Sequence, residues 1–88
     1  MKVATQDYVK LLDRFIELAN QLKNEGTDIN IIANALMEAS SIYATYVSVG
    51  NEGYLKESGI DKMTDAYWQI LTRVQAGRKA RVEAWQES

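Results

Sequence analysis

Residues 29–49 have the sequence INIIANALMEASSIYATYVSV, in which Glu38 is the only charged residue. One stripe of apolar side chains recurs at helical spacing and consists of Ile29, Ile32, Ala33, Leu36, Tyr43 and Val47. The remaining faces are apolar too, through residues such as Ile31, Met37 and Ile42. A helix that is apolar on every side is buried on every side. Because a three-helix chain of this size cannot enclose such a helix, the stretch predicts a helix in a subunit interface.

Glycine-bearing breaks on both sides of this stretch divide the chain. Gly26 is placed to end a first helix in a left-handed cap, and Thr27 or Asp28 to cap the second. Residues 50–53, Gly-Asn-Glu-Gly, have the composition of a turn, and Ser58 or Gly59 begins a third helix. The pattern predicts an all-α single domain over residues 1–88, with helices at about 5–24, 29–49 and 59–85 and an end that frays over 78–88. We expect a three-helix bundle protomer that assembles into a homo-oligomer.

The composition points away from catalysis. The 88 residues include no histidine and no cysteine, so the commonest general base and metal ligand and the thiolate nucleophile are missing. Glu38 is the one acidic residue in the apolar helix, and a carboxylate that is hydrogen-bonded across an interface or points to solvent explains it better than an acid catalyst does. We expect a protein that is not an enzyme and has no cofactor and no metal site.

The charge distribution argues against binding to duplex nucleic acid. The net charge is −2, with −4 over residues 1–72 (six basic, ten acidic) and +2 over residues 73–88 (four basic, two acidic). A duplex binder needs many cations to neutralise phosphates. Met1-Lys2-Val3 is followed by polar residues rather than a signal-peptide core, and Asn30, Ser41 and similar residues make the second helix too polar for a membrane span. We expect a cytoplasmic protein with no membrane partner.

The start of the third helix has the ingredients of an anion site. Ser58, Gly59, Lys62 and Thr64 combine free backbone amides with hydroxyl groups and a lysine. Ordinary helix capping accounts for the same residues and is the commoner case.

Four short runs carry a family resemblance: residues 15–20 (FIELAN), 34–40 (NALMEAS), 43–47 (YATYV) and 50–53 (GNEG). Together they resemble the small phage anti-CBASS proteins, and the likeness covers about residues 8–75. The resemblance implies compact three-helix proteins that form hexamers and sequester the cyclic oligonucleotide messengers of a bacterial immune system, in the bacterial host cytosol. In that family an aromatic residue early in helix 1 and a lysine near its end bind cyclic dinucleotides. Tyr8 and Lys23 occupy those places here.

The separation of Tyr8 and Lys23 has a consequence of its own. Fifteen residues of helix span about 22 Å, too far for two side chains of one chain to hold one small ring. If both contact one messenger, they come from different subunits whose first helices are antiparallel. Tyr8 would stack on a base, Lys23 would pair with a phosphate, and Gly26 and Thr27 would offer backbone amide and hydroxyl donors. A core tyrosine and a solvated lysine are the simpler explanations.

The family's second site, for cyclic trinucleotides, has no secure counterpart in this chain. Lys62 is the nearest match to its basic residue. The leading hypothesis is therefore a non-catalytic sponge for cyclic di- or oligonucleotides that counteracts CBASS defence. The alternatives are a structural or adaptor module that docks its apolar second helix on another protein, and a nucleic-acid-binding protein that uses the basic end.

Overall fold

A computed structural model describes residues 5–87, and these residues form three helices and no strand. The helices are α1 (Thr5–Asn24), α2 (Ile29–Val49) and α3 (Glu57–Glu87). The all-α prediction is confirmed for this part of the chain, and α1 and α2 have the predicted bounds. The structure divides into two compact units between Ile42 and Tyr43, so α1 and most of α2 belong to the first unit and α3 to the second. The single domain expected over residues 1–88 stays a prediction.

The end of α1 is closed by a Schellman motif. The amide of Thr27 donates to the Leu22 carbonyl at 3.1 Å, and that of Gly26 donates to the Lys23 carbonyl at 3.0 Å. Gly26 has a φ of 103°, a left-handed conformation that glycine adopts without a steric penalty. These two bonds satisfy carbonyls that the helix itself leaves without partners. The predicted left-handed cap is confirmed.

Asp28 caps the start of α2. Its Oδ1 accepts a hydrogen bond from the Asn30 amide at 2.7 Å, and its carbonyl accepts the first helical bond, from the Ile32 amide at 3.1 Å. The sequence left Thr27 and Asp28 as alternatives. Asp28 has the role because Thr27 is already the last residue of the α1 cap.

The connection from α2 to α3 depends on two close approaches. The Gly50 amide donates to the Tyr46 carbonyl at 2.8 Å, with a φ of 78° at Gly50. A Cβ on Gly53 would lie 2.5 Å from the Val49 carbonyl oxygen, so only glycine lets the chain pass the end of α2 there. A Cβ on Gly59 would lie 3.1 Å from the Leu55 side chain. Leu55 therefore packs on the first turn of α3.

The third helix begins earlier than predicted, at Glu57 rather than at Ser58 or Gly59. Its first helical bond runs from the Ile60 amide to the Lys56 carbonyl at 3.0 Å, which places Lys56 at the cap. The helix continues through Gly77 to Glu87, where the sequence allowed for fraying from residue 78; Ser88 lies outside the described residues. Its 31 residues span about 46 Å.

Little of the apolar surface is covered. Ile32, at 8% exposure, is the one buried side chain among those the structure describes. On α2 the side chain of Val47 is 69% exposed. None of the described helices combines the length and the apolar character that crossing a membrane requires.

Candidate ligand-binding site

Tyr8 and Lys23 lie on the same side of α1, near its two ends. Fifteen steps of about 100° place them about 60° apart around the helix and about 22 Å apart along it. Both side chains are exposed, Tyr8 by 50%. The only ion pair among residues 5–87 joins Lys79 to Glu83, so the Lys23 ammonium has no carboxylate partner in that range. One chain thus presents an aromatic face and a cation on the same side, too far apart to share a small ligand.

The side chains between them form an apolar stripe along α1. Leu12, Phe15, Ala19 and Leu22 lie within about 40° of the Tyr8 direction. Phe15 is 61% exposed, and Ala19 is the half-buried member. The charged residues Lys10 and Glu17 project from the other side, about 160–180° away from the stripe's centre. The apolar stripe therefore occupies the side of α1 between Tyr8 and Lys23.

The cap beyond Lys23 bears on the predicted donors, a backbone amide and a hydroxyl from Gly26 and Thr27. The amides of both residues donate to carbonyls of α1. A second acceptor would have to break the Schellman motif. The cap stabilises the helix end that carries Lys23. Of the donors expected beside Lys23, the Thr27 hydroxyl is the one that the cap leaves available.

The acidic residues near Lys23 also bear on ligand binding. Glu25 and Asp28 follow within five residues, and the Asp28 carboxylate already accepts the Asn30 amide. Both carboxylates add negative charge close in sequence to Lys23.

At the start of α3 the structure does not bring the four predicted anion-binding residues together. Ser58 and Lys62 are four residues apart and share a face, but Thr64 lies about 200° around the helix from Lys62. The Thr64 hydroxyl donates to the Ile60 carbonyl at 2.8 Å. Gly59 faces Leu55, as described above. Glu57 adds a negative charge in the first turn, which suits the helix dipole and disfavours an anion. Ser58 and Lys62 are the two members that share a face, and the four-residue site stays a prediction.

No metal centre is found in the described part of the chain, where no three acidic residues are grouped closely enough to hold an ion. The hydroxyl groups of Ser41 and Thr45 lie on α2, and both residues take part in interactions within the structure.

Comparison with known proteins adds no relative: no protein-family model, no curated protein and no solved structure matches the chain significantly. The likeness to the anti-CBASS proteins therefore stays a resemblance, which rests on the short runs given above.

Proposed function

We propose that the protein is a homo-oligomer of three-helix protomers that binds cyclic dinucleotides between antiparallel α1 helices and holds them without cleaving them. The observation that carries the proposal is the arrangement of α1. Tyr8 and Lys23 share one side of the helix, both are exposed, and about 22 Å separates them. In the setting that the family resemblance implies, the protein would sequester immune messengers, act against bacterial CBASS defence and form a hexamer.

An antiparallel pairing of α1 in this register also pairs its apolar stripe. When Tyr8 lies opposite Lys23 of the second copy, position i lies opposite position 31 − i. Leu12 then faces Ala19, and Phe15 faces Ile16. The register that builds the site is thus one that covers apolar side chains left half exposed in the single chain. A twofold interface of this kind contains two equivalent sites.

The two side chains suit the two parts of a cyclic dinucleotide. A tyrosine ring stacks on a base, worth about 1–3 kcal/mol per base. The lysine ammonium pairs with a phosphate as a compact charge, while the Thr27 hydroxyl lies four residues further on. Sequestration requires tight binding and no turnover, so it makes no demand for a nucleophile or a general base. Cyclic trinucleotides would need a further basic site, and Lys62 with Ser58 is what the chain offers for it.

Titration calorimetry of the full chain with a panel of cyclic di- and trinucleotides tests the proposal. Loss of one base stack in Tyr8→Ala should weaken binding by about 5- to 150-fold, whereas Tyr8→Phe should stay near the parent. Lys23→Gln should also weaken binding. Lys10→Gln is the matched control, because it removes the same charge from the opposite side of α1.

Two results would refute the proposal. One is the absence of binding heat with every cyclic nucleotide in the panel. The other is a Lys10→Gln variant that loses as much affinity as Lys23→Gln. Light scattering at micromolar concentration adds an independent check, since a monomer cannot form a site shared between chains.

The exposure of α2 favours a second candidate, a structural or adaptor module that docks this helix on another protein. Ile42, Tyr43 and Val47 are all about two-thirds exposed. A protein that is monomeric in solution and gives no heat with cyclic nucleotides would favour this candidate.

A further inference from the structure

The longest helix carries a stripe whose spacing is symmetric about its own midpoint. The members of the α3 stripe are Ile60, Met63, Tyr67, Leu71, Val74, Arg78, Val82 and Trp85. Successive members are separated by 3, 4, 4, 3, 4, 4 and 3 residues. Seven steps over 25 residues average about 3.6 residues each, so the stripe runs straight along α3 within an arc of about 100°. The order of steps is the same from either end, and the midpoint lies between Thr72 and Arg73.

This symmetry matters because a twofold interface is made of one patch that fits itself. When two copies of α3 lie antiparallel about that midpoint, position i lies opposite position 145 − i. The outer pairs are then Ile60 with Trp85, and Met63 with Val82. Trp85 is the most exposed of these side chains, at 84%.

The inner pairs follow the same rule and include the one charged member of the stripe. Leu71 lies opposite Val74, and Tyr67 lies opposite Arg78. Arg78 falls in the stretch that the sequence predicts to fray, but with α3 helical to Glu87 it lies on the line of the stripe. An arginine can lay its apolar stem along such a surface and stack its guanidinium on a tyrosine ring.

The charges of α3 are complementary in the same orientation. Residues 57–72 contain three acidic and one basic residue, net −2, and residues 73–87 contain four basic and two acidic residues, net +2. Antiparallel pairing places the acidic half of each copy against the basic half of the other. Parallel pairing would set like halves side by side, which electrostatic repulsion disfavours.

The apolar side chains of the α3 stripe remain exposed in the single chain. Ile60, Val82 and Trp85 are 52%, 55% and 84% exposed. The α3 stripe contributes side chains that are about half exposed or more at most of its apolar positions.

We infer that α3 pairs with α3 of a second copy, antiparallel about the point between residues 72 and 73, with Tyr67 of each copy against Arg78 of the other. This interface is separate from the α1 pairing. A larger assembly rests on the α1 pairing of the proposed function as well. With both pairings, two different twofold axes generate a dihedral assembly such as a tetramer or hexamer.

Disulfide trapping tests the pairing directly, because the chain contains no cysteine of its own. The double variant Tyr67→Cys with Arg78→Cys should form a covalent dimer under mild oxidation. Each single variant should stay uncrosslinked, because the two copies of position 67 are about 16 Å apart along the axis, beyond the reach of a disulfide. The matched control is Gln69→Cys with Ala76→Cys. These two positions also add up to 145, so they lie at the same level in the antiparallel pair, but they lie on the opposite side of α3 from the stripe.

Three outcomes would overturn the inference. Cross-linking of Tyr67→Cys alone would indicate parallel pairing, and equal cross-linking of the control pair would show that the stripe is not the contact face. No cross-linking of either the central pair or the end pair, Ile60→Cys with Trp85→Cys, while circular dichroism shows intact helices, would show that the faces do not meet. The end pair replaces the central pair if that variant fails to fold. The experiment uses no nucleotide, so a failure of the proposed function leaves its result standing.

Discussion

Two glycines that differ only in backbone conformation provide the sharpest test of the structure. Gly77 lies inside α3, and Gly26 has a left-handed φ of 103° at the end of α1. A Cβ at either position would meet nothing within 4 Å. Gly77→Ala and Gly26→Ala therefore add the same methyl group into open space and restrict the unfolded chain equally. Any difference in the free energy of unfolding between the two variants therefore reflects the backbone conformation of the folded state at these positions.

The expected effects have opposite signs. Alanine in a helix interior is more favourable than glycine by about 1 kcal/mol, so Gly77→Ala should raise the free energy of unfolding by that amount. At Gly26 the left-handed conformation costs an L-residue about 1–2 kcal/mol, and the lower entropy of the unfolded chain returns about 0.4–1 kcal/mol. Gly26→Ala should then be destabilised by about 1 kcal/mol. The two variants should differ by about 2 kcal/mol.

Thermal unfolding followed by circular dichroism measures this difference. For a domain of 60–100 residues, 1 kcal/mol shifts Tm by about 4–8 °C, so the variants should lie roughly 8–16 °C apart. All samples need the same protein concentration, because the stability of an oligomer depends on it. Gly26→Asn should fall nearer the parent, since asparagine tolerates the left-handed region. If Gly26→Ala proved as stable as Gly77→Ala, the Schellman motif at the end of α1 would be refuted.

Two further substitutions test the ends of α2. Asp28→Ala removes the cap that accepts the Asn30 amide and should cost about 1 kcal/mol in urea unfolding, while Asp28→Asn should be close to neutral; equal losses in both would contradict a capping role. Gly53→Ala brings a Cβ to 2.5 Å from the Val49 carbonyl oxygen and should cost about 1–3 kcal/mol, and an unchanged Tm would show that the chain does not pass the end of α2 so closely.

The ends of α1 and α2 were accessible from sequence because the signals are local. Gly26 ends α1 through its own conformational freedom, and Asp28 caps α2 with an acceptor two residues from its donor. The start of α3 was missed by one or two residues because Lys56, which takes the cap position, is not a residue type that signals a cap.

Part of the candidate site could likewise be predicted from the sequence, and part could not. Periodicity alone places Tyr8 and Lys23 on one side of α1, since a helix fixes both angle and rise for every residue. It could not assign the amides of Gly26 and Thr27, because both helix capping and anion binding use such groups. The hydrogen bonds of the folded cap decided between them.

What the sequence by itself determined was therefore the presence of three helices, the bounds of α1 and α2, and the faces on which aromatic, apolar and charged side chains lie. Only the tertiary structure decided that Gly53 passes against Val49, that Leu55 packs on Gly59, and that Ile32 is covered while Val47 is not. It also showed α3 helical as far as Glu87, which places Arg78 on the line of the apolar stripe. The physical reason is range: capping and helical period act within a few residues, whereas close approach and burial depend on where the folded chain returns in space.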